Sequence, residues 1–151
     1  MSYLIKPYSE TRKRQGKEGE DIVKVILQNY LGELLVKTEK ENDTLDFETE
    51  SRWIEIKRRL PPYNSTDKYF TEGALLPFCK FIRAFEEKKP VFFYYYFDAD
   101  ETLWELEFKP EFFELFKPFV LRNHSTNQVH VTVPKSFWKQ IDYKNLRKIS
   151  T

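Results

Sequence analysis

The run Val91-Phe92-Phe93-Tyr94-Tyr95-Tyr96-Phe97 constrains the fold more than any other part of the chain. Successive side chains of a strand point to opposite sides, so an unbroken apolar run cannot belong to a strand with one wet face. The run is also far short of the roughly 20 residues that cross a bilayer as a helix. It reads as a strand covered on both faces, the kind found inside layered sheets. The rest of the composition suits that reading. At 151 residues, 40% hydrophobic and 32% charged, the chain has the material for about one domain with a core. Aromatics reach 17% against 4 Gly, so large rings fill most of the interior.

Several classes drop out at once. Cys79 is the single cysteine, which excludes an internal disulfide and a cysteine-built zinc site. Residues Met1 to Lys17 are polar and basic and lack the apolar stretch of a secretory signal. The expectation is a single soluble domain over 1–151, cytoplasmic or nuclear, with no membrane partner. Net charge is only +1, but it is unevenly spread. Lys6, Arg12, Lys13, Arg14 and Lys17 stand near the start against Glu10, and Arg122, Lys135, Lys139, Lys144, Arg147 and Lys148 near the end against Asp142. Between them, residues 60–121 hold 7 basic and 11 acidic side chains. Basic ends around an acidic middle suit a phosphate-facing surface beside a metal-holding pocket; solvated termini explain the same pattern.

Periodicity sets out the elements. Ile22, Val23, Ile26, Leu27 and Tyr30 form one apolar stripe of a helix over 16–31. A short strand is expected over 34–38, and 44–48 with 52–58 alternate as a hairpin. The segment 60–71 is a loop, rich in Pro, Asn and Ser. Residues 73–88 have helical spacing, although Pro77 weakens the first turn. Thr102, Trp104, Leu106 and Phe108 share one side of a further strand. A short helix at 111–116, a strand at 129–133 and a last helix after Pro134 complete the order, which is that of an α/β layer protein.

The hairpin carries the chemistry. A two-residue turn at Glu50-Ser51 sets Thr49 opposite Arg52, Phe47 opposite Ile54, Leu45 opposite Ile56 and Asp46 across from Glu55. Glu55 and Lys57 then project from one face. Two facing carboxylates repel unless a cation offsets them, and hard Mg²⁺ is held by one or two carboxylates plus waters and substrate phosphate. Lys57 could hold an attacking water or stabilise charge on a phosphate. Glu20, at the edge of the helical stripe, adds a third acid, and Gly16 and Gly19 leave room for a close approach. Glu-x-Lys alone would be a solvated strand face; metal-assisted phosphodiester cleavage accounts for the whole set.

The order of Glu20 in a helix, Asp46 on a strand and Glu55-x-Lys57 on the next resembles the PD-(D/E)XK nuclease superfamily. The Gly16-x-x-Gly19-Glu20 helix and the strand and helix that follow look most like archaeal Holliday-junction resolvases and related small viral nucleases. The resemblance spans roughly residues 12–108, with 109–151 as a C-terminal extension. It implies a restriction-endonuclease-like α/β core, a mixed central sheet flanked by helices, and Mg²⁺- or Mn²⁺-dependent hydrolysis of DNA, with branched DNA as a candidate substrate and a homodimer as the candidate assembly. Carried over by position, Asp46 and Glu55 are metal ligands with the Ile56 backbone carbonyl, Glu20 is an accessory acid, and Lys57 positions water or stabilises charge. Leu45 stands where the motif name has Pro, and the interval from Asp46 to Glu55 is short. Rival expectations are an exonuclease or nicking enzyme with the same site, and a catalytically silent nucleic-acid-binding module.

Beyond that set, Arg12, Lys13, Arg14, Lys17, Arg58 and Arg59 are candidate phosphate contacts, and Tyr63 and Tyr69 candidate base-stacking rings. His124 and His130 lack cysteine partners and read as local hydrogen bonders, Cys79 as a core filler. Rings from 102–108 or 112–119 are candidate dimer surface, and burial in the core explains them equally well.

Overall fold

The computed structural model describes residues 10–38, 45–59, 74–122 and 127–144. Helix α1 spans Glu10–Leu31, followed by strands β1 (Val36–Lys37), β2 (Phe47–Glu48), β3 (Trp53–Arg59) and β4 (Ala74–Pro77). Then come helix α2 (Phe78–Glu86), strands β5 (Val91–Phe97) and β6 (Thr102–Glu107), and the short helix α3 (Phe112–Leu115). Strands β7 (Phe119–Arg122), β8 (Asn127–Val133) and β9 (Lys139–Ile141) follow, with a 3₁₀ turn at Lys135–Phe137 before β9.

The described residues form an α/β arrangement with a six-stranded mixed sheet in the order β1-β2-β3-β5-β6-β9 and a three-stranded sheet in the order β4-β8-β7. Strands β3 and β5 are parallel, and the other pairings of the large sheet are antiparallel. The aromatic run is β5, central and flanked by β3 and β6, as its two-sided apolarity requires. Phe93, Tyr95 and Phe97 join one core with Phe81 and Ala84 of α2 and Val131 and Val133 of the small sheet. Tyr94 and Tyr96 join the other, with Val23, Ile26 and Leu27 of α1 and Ile54 and Ile56 of β3.

Helix α1 buries Val23, Ile26 and Leu27 of its predicted stripe, with Tyr30 half-buried and Ile22 41% exposed. It ends at Gly32, whose φ of +67° is the left-handed conformation that closes a helix, and whose N–H reaches the Gln28 carbonyl at 2.9 Å. A Cβ at Gly32 would meet nothing within 4 Å, so the backbone alone decides the effect of a substitution. Gly32→Ala is expected to lower stability by about 1 kcal/mol, read as a shifted midpoint in urea denaturation.

Three expectations are corrected. The helix predicted over 73–88 starts only at Phe78. Pro77 is extended, with φ −63° and ψ 133°, and a proline also disfavours helix in the residue before it, so Ala74–Pro77 pairs with β8 as a strand instead. Cys79 consequently faces outward and is exposed rather than core. The last helix predicted after Pro134 is a single 3₁₀ turn, and the chain continues as β9 on the edge of the large sheet. Of the candidate dimer rings, Trp104, Phe108, Phe112 and Phe116 are buried in the core, Phe113 is half-buried against it and Phe119 is exposed. The predicted loop 60–71, with Tyr63 and Tyr69, and His124 lie outside the described residues, as do the side chains of Arg12, Lys13, Arg14, Lys17 and Arg59. No helix among the described residues is long and apolar enough to cross a membrane.

Candidate active site

The β2–β3 hairpin has the predicted register, Phe47 with Ile54 and Glu48 with Trp53. Glu-Ser is poor turn chemistry by itself, and the structure shows what supports it. Thr49 N–H donates to the Arg52 carbonyl at 2.9 Å, and Thr49 Oγ1 accepts from the N–H groups of Ser51 and Arg52. From just beyond α1, the Glu33 carboxylate accepts from Ser51 N–H at 3.0 Å and from Ser51 Oγ at 2.7 Å. Those bonds, the Ser51 hydroxyl first, hold the Glu33 carboxyl below its ordinary pKa. Lys89 ties the other side of the hairpin, to Glu48 and to the Thr49 carbonyl.

Beyond Phe47 the ladder stops and the first chain bends away. Leu45 therefore lies in the core of Phe93 and Tyr95, on the opposite side of the sheet from Phe47, and not beside Ile56 as strict alternation predicts. The bend gives Asp46 its role. Its carbonyl accepts from Thr38 N–H at 3.1 Å, and its Oδ2 accepts from Ile56 N–H at 2.7 Å, taking the place of a missing ladder bond. Asp46 is thus fixed at the margin of β3, beside Glu55.

Glu55 is 2% exposed, on the α2 side of the sheet. Its Oε2 stands 3.6 Å from Lys57 Nζ and its Oε1 stands 3.5 Å from Lys80 Nζ on α2. Oε1 is buried without a hydrogen-bond partner among the described residues. Glu20, from the α1 side, is bonded to Lys37 of β1, and its charge also reaches Asp46. Burial, and then the charge of Glu55, push the Asp46 carboxyl up from 3.8 to about 7; the Ile56 N–H and Lys57 pull the other way. Burial pulls Lys37 down, but its bond to Glu20 and the nearby charges of Glu20, Asp46 and Asp21 leave it above its ordinary value.

The structure therefore brings Glu20, Asp46, Glu55 and Lys57 into one neighbourhood and adds two lysines that the sequence reading missed. Lys37 sits on the predicted short strand. Lys80 is a basic residue among the apolar positions Phe78, Phe81 and Ile82, an interruption that was the available signal. Arg58 stands apart from the cluster of Asp46, Glu55 and Lys57. Strand alternation turns it to the face opposite Glu55 and Lys57, where Asp98 holds its guanidinium through Nε at 2.8 Å and Nη2 at 2.6 Å. His130 is buried with Nδ1 3.2 Å from the Gln128 carbonyl, the local hydrogen bond expected of it.

Among the described residues no three His, Cys, Asp or Glu side chains stand close enough to form a complete ion cage. Asp46 and Glu55 fit a sparser kind of site. Mg²⁺ keeps several of its waters and takes one or two carboxylates, and a buried carboxylate oxygen without a hydrogen bond is an open ligand position. No family model, curated protein or solved structure matches this chain.

The raised Asp46 carboxyl has a consequence for the metal-free protein. The folded state binds a proton near pH 7 that the unfolded chain releases near 3.8. Stability should fall as pH rises through that window and level off above it. Asp46→Asn keeps an acceptor for Ile56 N–H and removes the charge. In EDTA, the variant is expected to match the parent near pH 4 and to exceed it by a few kcal/mol above pH 7, at about 1.4 kcal/mol per pKa unit. Chemical denaturation across that range reads the difference directly.

Proposed function

We propose that the chain is a metal-dependent DNA endonuclease with a restriction-endonuclease-like core, acting at the corner formed by Asp46, Glu55 and Lys57. The observation that carries this reading is the Asp46–Glu55 pair, a half-buried carboxylate beside a buried one that keeps an oxygen without a hydrogen bond among the described residues. Each acid raises the cost of ionising the other, a cost that a bound cation would offset. A site that must grip a divalent cation needs such a pair.

Asp46 and Glu55 would hold the ion, with the Ile56 carbonyl as a further ligand and Glu20 as an accessory acid. When bound, Mg²⁺ or Mn²⁺ supplies Lewis acidity at a water and charge neutralisation at the phosphate. Asp46 is oriented by Ile56 N–H, so its second oxygen is available for ligation. Lys57, with its side chain 37% exposed, presents ammonium protons to solvent and can orient a water or stabilise charge building on a phosphate oxygen. The Glu55 carboxylate holds that ammonium close to the reacting position. By resemblance the products are a 5′-phosphate and a 3′-hydroxyl, and paired cuts in a four-way junction would need a two-fold dimer.

Labelled junction, flap and linear duplex DNA, incubated with Mg²⁺, Mn²⁺ or EDTA, test the reading. Cleavage in either metal and none in EDTA is the expected result. DNA binding without cutting in any divalent metal would replace it with the silent module, and dependence on a free end would make the enzyme an exonuclease.

A further inference from the structure

Three carboxylates and three ammoniums stand together at the site among the described residues, with Asp21 a further acid near Lys37. Asp46 and Glu55 are matched by Lys57 and Lys80, and Glu20 by Lys37. A divalent cation entering this set adds two positive charges to one in which each of these carboxylates already faces an ammonium. The geometry around Glu55 shows where the conflict falls. Lys80 Nζ is 3.5 Å from Oε1, close enough to offset its charge, yet Oε1 accepts no hydrogen bond among the described residues. The ammonium neutralises the oxygen without occupying its lone pairs. Lys80 is also the more buried of the two lysines on Glu55, its side chain 16% exposed against 37% for Lys57, so its charge is the less screened by water.

We propose that Lys80 is a built-in counter-ion that holds the cation's place beside Glu55 Oε1 and yields it when a DNA phosphate arrives, so that metal and nucleic acid bind as a coupled pair. The inference rests on the nuclease reading above and adds a regulation of its site. Each phosphodiester brings one negative charge, which can take the displaced ammonium and offset part of the incoming cation. Lys80 is suited to the exchange, because its four-carbon stem lets the ammonium shift while Phe81 and Ala84 keep α2 packed in place. By linkage, DNA must tighten the metal by the same factor as the metal tightens DNA.

Mn²⁺ binding to the full-length chain, followed by the loss of the free-ion paramagnetic resonance signal, tests this without relying on turnover. Removing the charge with Lys80→Met is expected to tighten Mn²⁺ binding to the DNA-free protein about tenfold, within the usual range of coupling between sites. Lys80→Arg should leave it as in the parent. Phosphorothioate-linked junction and duplex DNA should tighten the parent's affinity for Mn²⁺ by a similar factor and the Met variant's by less. Lys80→Gln repeats the comparison if the Met variant fails to melt cooperatively. A lysine that merely supports the fold would weaken Mn²⁺ binding when removed, and unchanged or weaker binding in both neutral variants overturns the proposal while leaving the nuclease reading intact. If the parent binds no Mn²⁺ even with DNA, the metal site itself is refuted and the counter-ion role falls with it.

Discussion

Asp46→Asn should lower metal-dependent DNA cleavage by at least ~10²-fold while making the metal-free protein more stable above neutral pH. Opposite movements of activity and stability are the signature of a residue kept for chemistry at a structural cost. The hydrogen bond from Ile56 N–H at 2.7 Å survives in the variant, because an amide oxygen accepts as the carboxylate did. What is lost is the charge that burial and Glu55 oppose and a cation would welcome. Glu55→Gln should reduce cleavage to a similar extent. Lys57→Ala should cost on the order of 10²-fold or more, chiefly in kcat, the pattern expected of an ammonium that stabilises charge developing during the reaction. Single-turnover rates at saturating Mg²⁺, paired with thermal melts of each variant, separate these effects from unfolding. Full cleavage by all three variants would remove these residues from any catalytic role.

Phe81→Ala should destabilise the fold by about 3–5 kcal/mol. Phe81 is fully buried, and its ring meets those of Phe93, Phe108, Phe112 and Phe113 at centroid distances of 5.3 to 6.3 Å. It joins α2 to β5, to the chain after β6 and to α3 at a single point, so no neighbour can move in to fill the gap without leaving another partner. With Ala84 it is one of two buried side chains on α2, so the position of Lys80 beside Glu55 depends on it. Phe81→Leu keeps most of the volume and should cost much less, about 1.5 kcal/mol. Urea denaturation of the two variants distinguishes a packing role from a general tolerance of this helix to truncation.

The parts of the fold that could be read in advance are those where local pattern and burial agree. The β5 run has no alternative to a covered strand, and the α1 stripe needs only one face of one neighbour. Pairing Phe47 with Ile54 places an apolar residue against an apolar residue, whereas Asp46 stands beside Glu55 through the bend after the ladder ends and its bond to Ile56 N–H. What was missed depends on distant partners. Glu33 supports a turn of weak chemistry from 18 residues away. Lys80 reaches Glu55 only because α2 crosses the sheet between two parallel strands. Ala74–Pro77 has helical spacing on paper and becomes a strand because β8, far along the chain, offers it a ladder. Asp98, 40 residues along the chain, pairs with Arg58 on the face that alternation assigns to it.

The parallel pairing of β3 with β5 sets the tempo at which this chain can reach its native state. Trp53 aligns with Val91 and Arg59 with Phe97, so every rung joins residues 38 positions apart, and the intervening chain must be confined before any rung forms. Proteins dominated by such long-range pairings acquire structure over milliseconds to seconds, whereas local helical bundles need far less time. The β2–β3 hairpin needs only its own turn to align, so Asp46 can find Ile56 through a short search, while the arrival of Lys80 waits on the slower closure.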